Sequence, residues 1–132
     1  MIVLENRKES KFKSNIHYPM EKLLIKCGVE ENHLLYNNIL YLEADGSYTF
    51  IHSIEKKFME CKNIGSYESV LPSPPFVRVH NSYIINASKI LIKTKSYIIL
   101  EGNITIPVSR GKHENLKNTI KTIQGNSHIV TL

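Results

Sequence analysis

Two groups of polar side chains in this sequence have the types and spacing to recognise an anion or a base. The first is His80-Asn81-Ser82, which interrupts the otherwise apolar run FVRVHNSYIIN with Arg78 two residues ahead of it and no glycine or proline to mark a turn. Histidine, asparagine and serine all hydrogen-bond phosphate oxygens, and an asparagine amide can meet a base edge with two bonds. The second is Arg110-Gly111-Lys112, directly after the strand-like ITIPVS. A guanidinium is a planar fork that fits guanine O6 and N7, whereas an ammonium is a point charge suited to phosphate.

Patterns that would support catalysis are weak. S-x-x-K occurs at Ser10–Lys13 and Ser109–Lys112, among other places, without its partner motifs. Gly111-Lys112 lacks the upstream glycine of a phosphate-binding loop. Glu30-Glu31, Glu43 and Asp45 fall at turns, where a solvated carboxylate is the default. The six histidines have no H-x-x-x-H spacing, and Cys27 and Cys61 have no C-x-x-C neighbour. Both cysteines are read as reduced, buried thiols in strands. No enzyme, metal or cofactor is expected.

The elements that must hold these groups are short. The segments 23–29, 33–36, 39–44, 47–52 and 56–62 read as strands of an antiparallel meander, with Asp45-Gly46 as a hairpin signal. Ile64, Tyr67, Val70 and Leu71 change the period to that of a short helix, ended by Pro72-Ser73-Pro74-Pro75. Strands resume at 76–79, 82–86, 89–95, 97–102 and 103–109, with a turn at Glu101-Gly102-Asn103. Residues 114–121 read as a short closing helix with Leu116, Ile120 and Ile123 inward. The expectation is an all-β, or β-dominated, single domain of about ten short strands in small antiparallel sheets, with one short helix in the middle and another near the C-terminus. Residues 1–20 read as an N-terminal arm or linker, 21–123 as the domain, and 124–132 as a tail.

Charge is distributed unevenly. The chain carries a net +5, but residues 21–71 have five bases against eight acids, and residues 72–132 have eight bases against two acids. A polyanion would meet the C-terminal half. There is no apolar run long enough to span a bilayer and no signal-peptide pattern, so a cytoplasmic protein without membrane association is expected.

At this point the motifs combine. FVRVHNSYIIN followed by ASKI resembles the hallmark of the LytTR DNA-binding domain, a family of bacterial transcription regulators, whose pattern runs roughly F-x-R-x-H-[RKN]-S-[YF]-[IL]-[VI]-N-x-x-x-I. NNILYLEADGSYTFIH is similar to the family's first hairpin, and ITIPVSRGKHENLKNTI to its C-terminal segment. The resemblance implies small stacked sheets that bind double-stranded DNA through loops, entering successive major grooves of a site built from repeated half-sites and bending the DNA. It places a first loop on Asp45 to Tyr48, with Ser47 and Tyr48 as contacts. A second loop falls on His80 and Asn81, and a third on Arg110, Gly111 and Lys112. Three departures stand out. Asn81 occupies a position where many members carry Arg or Lys, Asp45 puts a carboxylate beside the phosphate path, and only twenty residues precede the domain. No receiver domain is therefore expected within this sequence, and its input would come from a separate sensor or receiver protein. Met1 favours a protein that stands alone, a piece of a longer chain being the other reading.

Each candidate also has a bland reading. Arg78 and Ser82 either contact DNA or hold the strand junction, and His80 reads better as structural than as a base contact. Tyr48, Tyr83 and Tyr97 read as packed in strands, which argues against a single-stranded nucleic-acid platform. Lys112 and Lys89 are either phosphate contacts or solvated lysines. Asn81 and Arg110 lack a core role and carry the reading of a sequence-specific transcription regulator. The rival reading is a protein-interaction module of the same fold, working with a separate sensor. No long amphipathic helix or heptad run is present, so the free protein is expected to be a monomer or weak dimer that pairs on DNA.

Overall fold

The strand Tyr83-Ile84-Ile85-Asn86 has no polar alternation because both of its faces are buried. In the computed structural model, which describes residues 21–123 and 129–132, Ile84 packs into one hydrophobic core and Ile85 into another. The sheet that contains them is the middle layer of three. In chain order the strands are β1 (Lys22–Cys27), β2 (Glu30–Leu35), β3 (Ile39–Asp45), β4 (Tyr48–Ser53), β5 (Lys57–Glu60), β6 (Phe76–His80), β7 (Tyr83–Asn86), β8 (Ile90–Lys93), β9 (Tyr97–Leu100), β10 (Ile104–Pro107) and β11 (Val130–Thr131). The helices are α1 (Gly65–Glu68) and α2 (His113–Ile123).

The middle sheet has the order β5-β4-β3-β7-β6 and is antiparallel throughout. Leu42, Ile51 and Ile84 on one face meet Leu23, Ile25 and Leu34 of the β1–β2 hairpin, together with Tyr67 of α1 and Leu71. Val77, Val79 and Ile85 on the other face meet Ile90, Ile98, Leu100 and Ile106 of the sheet β10-β9-β8-β11, with Leu116 and Ile120 of α2 closing the side. Leu116 and Ile120 lie four apart on one helix face, as the sequence indicates.

Several expectations are corrected. The first five strands do not form a continuous meander. β1 and β2 pair only with each other, because the 3-10 turn Tyr36–Asn38 redirects the chain before β3. Asn86 holds that turn: its side-chain amide donates to the carbonyls of Ile39 (2.9 Å) and Tyr36 (3.3 Å), and its carbonyl oxygen accepts from the Ser88 amide. Residues 129–132 are not a plain tail, since β11 pairs in parallel with β8 and the Leu132 N–H donates to the Lys93 carbonyl. The arm at 1–20 and residues 124–128 lie outside the described residues. Cys61 is exposed rather than buried, because it follows β5, whose inward position goes to Glu60. Glu60 is buried with its carboxylate accepting from the Lys26 N–H (2.7 Å) and the Tyr67 hydroxyl.

Among the described residues no helix is long and apolar enough to cross a membrane.

Candidate nucleic-acid interface

Strand direction decides which turns share an edge. β3 ends and β4 begins at Gly46-Ser47, where Asp45 pairs with Tyr48. Gly46 has φ +64° and Ser47 does not share the positive φ, the pattern of a tight two-residue hairpin that needs glycine first. β7 pairs with β3 through Glu43 and Tyr83, and the Ala44 N–H donates to the Ser82 carbonyl (2.8 Å). The 80–82 turn therefore sits beside the 45–48 hairpin. The Ser109 N–H donates to the Val79 carbonyl (2.8 Å), which places the Arg110–Lys112 turn on the other side of 80–82. With strands about 4.8 Å apart, the three turns form a row of roughly 15–20 Å.

A fourth turn joins the row from the other sheet. The Val108 N–H donates to the Ser96 carbonyl (2.9 Å), so Thr94-Lys95-Ser96, between β8 and β9, lies next to the Arg110 segment. Thr94 stiffens this turn, its hydroxyl accepting from the N–H groups of Ser96 and Tyr97. Lys95 is exposed at its tip. The sequence contains Lys95 in plain view, but nothing local says that its turn is carried to this edge.

Each candidate now has a place. Asn81 is exposed at the tip of its turn, and its side-chain amide has no partner among the described residues. Arg110 is likewise exposed and without a partner there, and Lys112 is half-buried with its N–H donating to the Ser109 carbonyl. Ser47 and Tyr48 are exposed at the first hairpin, and Asp45 is exposed beside them. The row is thus polarised, with a carboxylate at one end and Lys95, Arg110 and Lys112 at the other. Glu101 does not dilute that basic end, because its turn lies at the opposite end of β9.

His80 is half-buried and closes its own turn. Its Nδ1 accepts from the Ser82 N–H (3.0 Å), so in the neutral ring Nε2 carries the proton and is the donor left over. Its ring lies 5.5 Å from that of Tyr83. Arg78 faces protein acceptors: Nε donates to the His80 carbonyl (3.0 Å), Nη2 to the Asn81 carbonyl (2.6 Å) and Nη1 to Glu68 (2.7 Å). A bulge between Arg78 and His80 lets both residues address the turn.

Two expectations change. Lys89 does not share this edge. β7 runs away from the 80–82 turn, so the 3-10 turn Ala87–Lys89 lies at the far end, where the Lys89 carbonyl accepts from the Glu101 N–H and only 9% of the residue is exposed. Tyr48 and Tyr97 are not packed away: 41% and 38% of their surfaces are exposed. Each begins the strand that follows a turn of the row, where strand alternation has no second layer to meet. Tyr83 is half-buried, against Tyr41.

The profile of the LytTr DNA-binding domain matches residues 32–121. The chain belongs to the LytTR DNA-binding domain family. The transcriptional regulatory proteins YpdB of Escherichia coli K12 and of Shigella flexneri are each 30% identical to it over 82 residues, covering 58% of this chain. The match spans 34% of their own length, about a third of each relative. Among solved structures, the LytTr DNA-binding domain of a Bacillus cereus protein, described as a methyl-accepting/DNA response regulator, superimposes with a TM-score of 0.65 at 21% identity. That match covers 76% of this chain and 97% of the other, and at this identity it speaks for the fold alone. The family spans all four turns of the row.

Proposed function

We propose that this LytTR domain is a transcription regulator that binds double-stranded DNA sequence-specifically through the row of turns. The observation that carries the reading is the adjacency of the 80–82 turn and the Arg110 turn, each presenting a side chain without a partner among the described residues. In a folded protein an arginine and an asparagine with no structural work, side by side on rigid turns, fit recognition better than packing. Arg110 reads a guanine edge, Asn81 reads or positions, and Lys112 and Lys95 meet phosphates. Ser47 and Tyr48 contact the backbone nearer the acidic end, where attraction is weakest.

The row is shorter than the ~34 Å helical repeat of duplex DNA. Reaching successive major grooves therefore requires extended side chains and DNA bent toward the protein, and repeated half-sites would be filled by two copies. The protein works as a monomer or weak dimer in the cytoplasm, without a cofactor and without catalysis, its input coming from a sensor or receiver. Residues 21–123 are the binding domain.

Selection of bound sequences from random duplexes, with single-stranded pools in parallel, tests this reading. Enrichment of a duplex motif repeated at a fixed spacing is expected. The exposed Tyr48 and Tyr97 make the single-stranded arm a real competitor, since stacking on aromatics is how such strands are held. Preference for single strands would replace the duplex reading. Enrichment of nothing, with no retention of DNA, would favour a protein-interaction module of the same fold.

A further inference from the structure

Arg78 lies two residues before the turn that presents Asn81, yet its donors face inward rather than toward a ligand. Nε and Nη2 hold the carbonyls of His80 and Asn81, and Nη1 holds Glu68 at the end of α1. With the Ser82 N–H on His80 Nδ1 and the Ser82 carbonyl on the Ala44 N–H, all three carbonyls of the turn have donors. The Asn81 side chain has no partner among the described residues. The turn has no glycine or proline to preset its shape, so side-chain bonds must supply that constraint.

From this arrangement we infer that Arg78 and Glu68 are positioning residues for the Asn81 turn, and that the Glu68 carboxylate thereby increases sequence specificity. The inference rests on the duplex-binding reading above. Arg78 is a long side chain that would otherwise sample several rotamers, and Glu68 anchors the far corner of its guanidinium. The pair is asymmetric: Arg78 is 18% exposed and Glu68 48%, so Glu68 supplies direction more than energy. The cleft beside the pair, lined by Leu71, Phe76, Ile84 and Asn115, has a volume of about 90 Å³, room for a few waters and no more.

The test exploits a sign. Removing an acid from a DNA-binding protein ordinarily tightens binding to every duplex, because like-charge repulsion with phosphate falls. Here Glu68→Ala is expected to lower the ratio of specific to non-specific affinity about two- to fivefold. Glu68→Gln keeps one acceptor for Nη1 and should hold the ratio near the wild-type value. Arg78→Ala should lower it about tenfold or more, with Arg78→Lys between, and without changing the salt slope. Amide exchange at Ser82, whose N–H is held by His80 Nδ1, should quicken in the free protein in Glu68→Ala and Arg78→Ala. If Arg78→Ala fails to fold, Arg78→Lys and Glu68→Ala carry the comparison.

Glu68→Ala binding specific and non-specific duplexes tighter in step would overturn the inference. So would an Arg78→Ala salt slope reduced by about one unit at an unchanged ratio, which marks a phosphate contact. If the wild-type protein prefers no duplex, the DNA reading fails by itself. The exchange rate then decides the brace, and an unchanged rate at Ser82 would dismiss it.

Discussion

Replacing Arg110 with alanine separates a base-reading residue from a phosphate clamp. The structure sets the terms. Arg110 is exposed, has no partner among the described residues, and sits in a 3-10 turn fixed by the backbone bond from Ser109 to Val79. Among the described residues nothing bonds to its side chain, so the stability cost should stay within about 0.5 kcal/mol. Among the described residues no acceptor competes for the guanidinium, so its contribution is expected at the interface. A bidentate contact to guanine discriminates by roughly 1–3 kcal/mol, which corresponds to a loss of about five- to 150-fold on the specific site. Arg110→Lys keeps the charge without the fork and should recover only part of this. The assay is titration of each variant against the selected duplex and a panel of its single-base substitutions. Arg110→Ala should flatten the preference at one guanine and leave the other positions as they were. A uniform loss across the panel would refute the base-reading role, and a sharp fall in melting temperature would refute the claim that the side chain is free.

The same edge yields simpler expectations. Lys112→Ala and Lys95→Ala should each weaken binding to all duplexes alike and lower the salt slope by about one unit, read from titrations at several salt concentrations. Lys89→Ala should leave that slope unchanged, because Lys89 is buried at the far end of the fold. Tyr41 gives a pH dependence: burial first, then the Glu43 carboxylate and Tyr83, raise its phenol above the ordinary 10.0. The unfolded chain then loses its proton before the folded one does. Stability should therefore fall as the pH rises from about 10 to the folded-state value, and Tyr41→Phe should blunt that fall in alkaline melting curves.

The 80–82 turn was legible because three consecutive polar residues broke a mostly apolar run. The Asp45-Gly46 hairpin, the short helix around Tyr67 and the inward face of α2 were legible for the same local reason, a period or a turn residue. What stayed hidden depends on partners far along the chain. Nothing in KKFMECK marks Glu60 as inward, since its acceptors are filled by Lys26 and Tyr67 from other elements. Lys89 reads as one more base in a basic third, until the direction of β7 carries it away from the edge. The pairing of β11 with β8 is parallel and non-local, so no hairpin signal announces it. The exposure of Tyr48 and Tyr97 is a property of sheet ends, which the alternation within a strand does not reveal.

Arg78 and Arg110 carry the same guanidinium on the same edge, in the same basic half of the sequence. Their roles diverge because of the acceptors around each. Arg78 has two carbonyls and a carboxylate within 3.0 Å, so a phosphate would have to displace bonds that already hold a turn. Arg110 has none among the described residues, so a base edge can be met without first breaking anything. The spacing between their turns is set by backbone bonds, Ala44 to Ser82 and Ser109 to Val79, which no side-chain substitution removes directly. Changes at positions 81 or 110 can therefore alter what is read while the row keeps its shape. A change at 78 alters how firmly the row holds its middle turn, and that effect would appear in specificity before it appeared in stability.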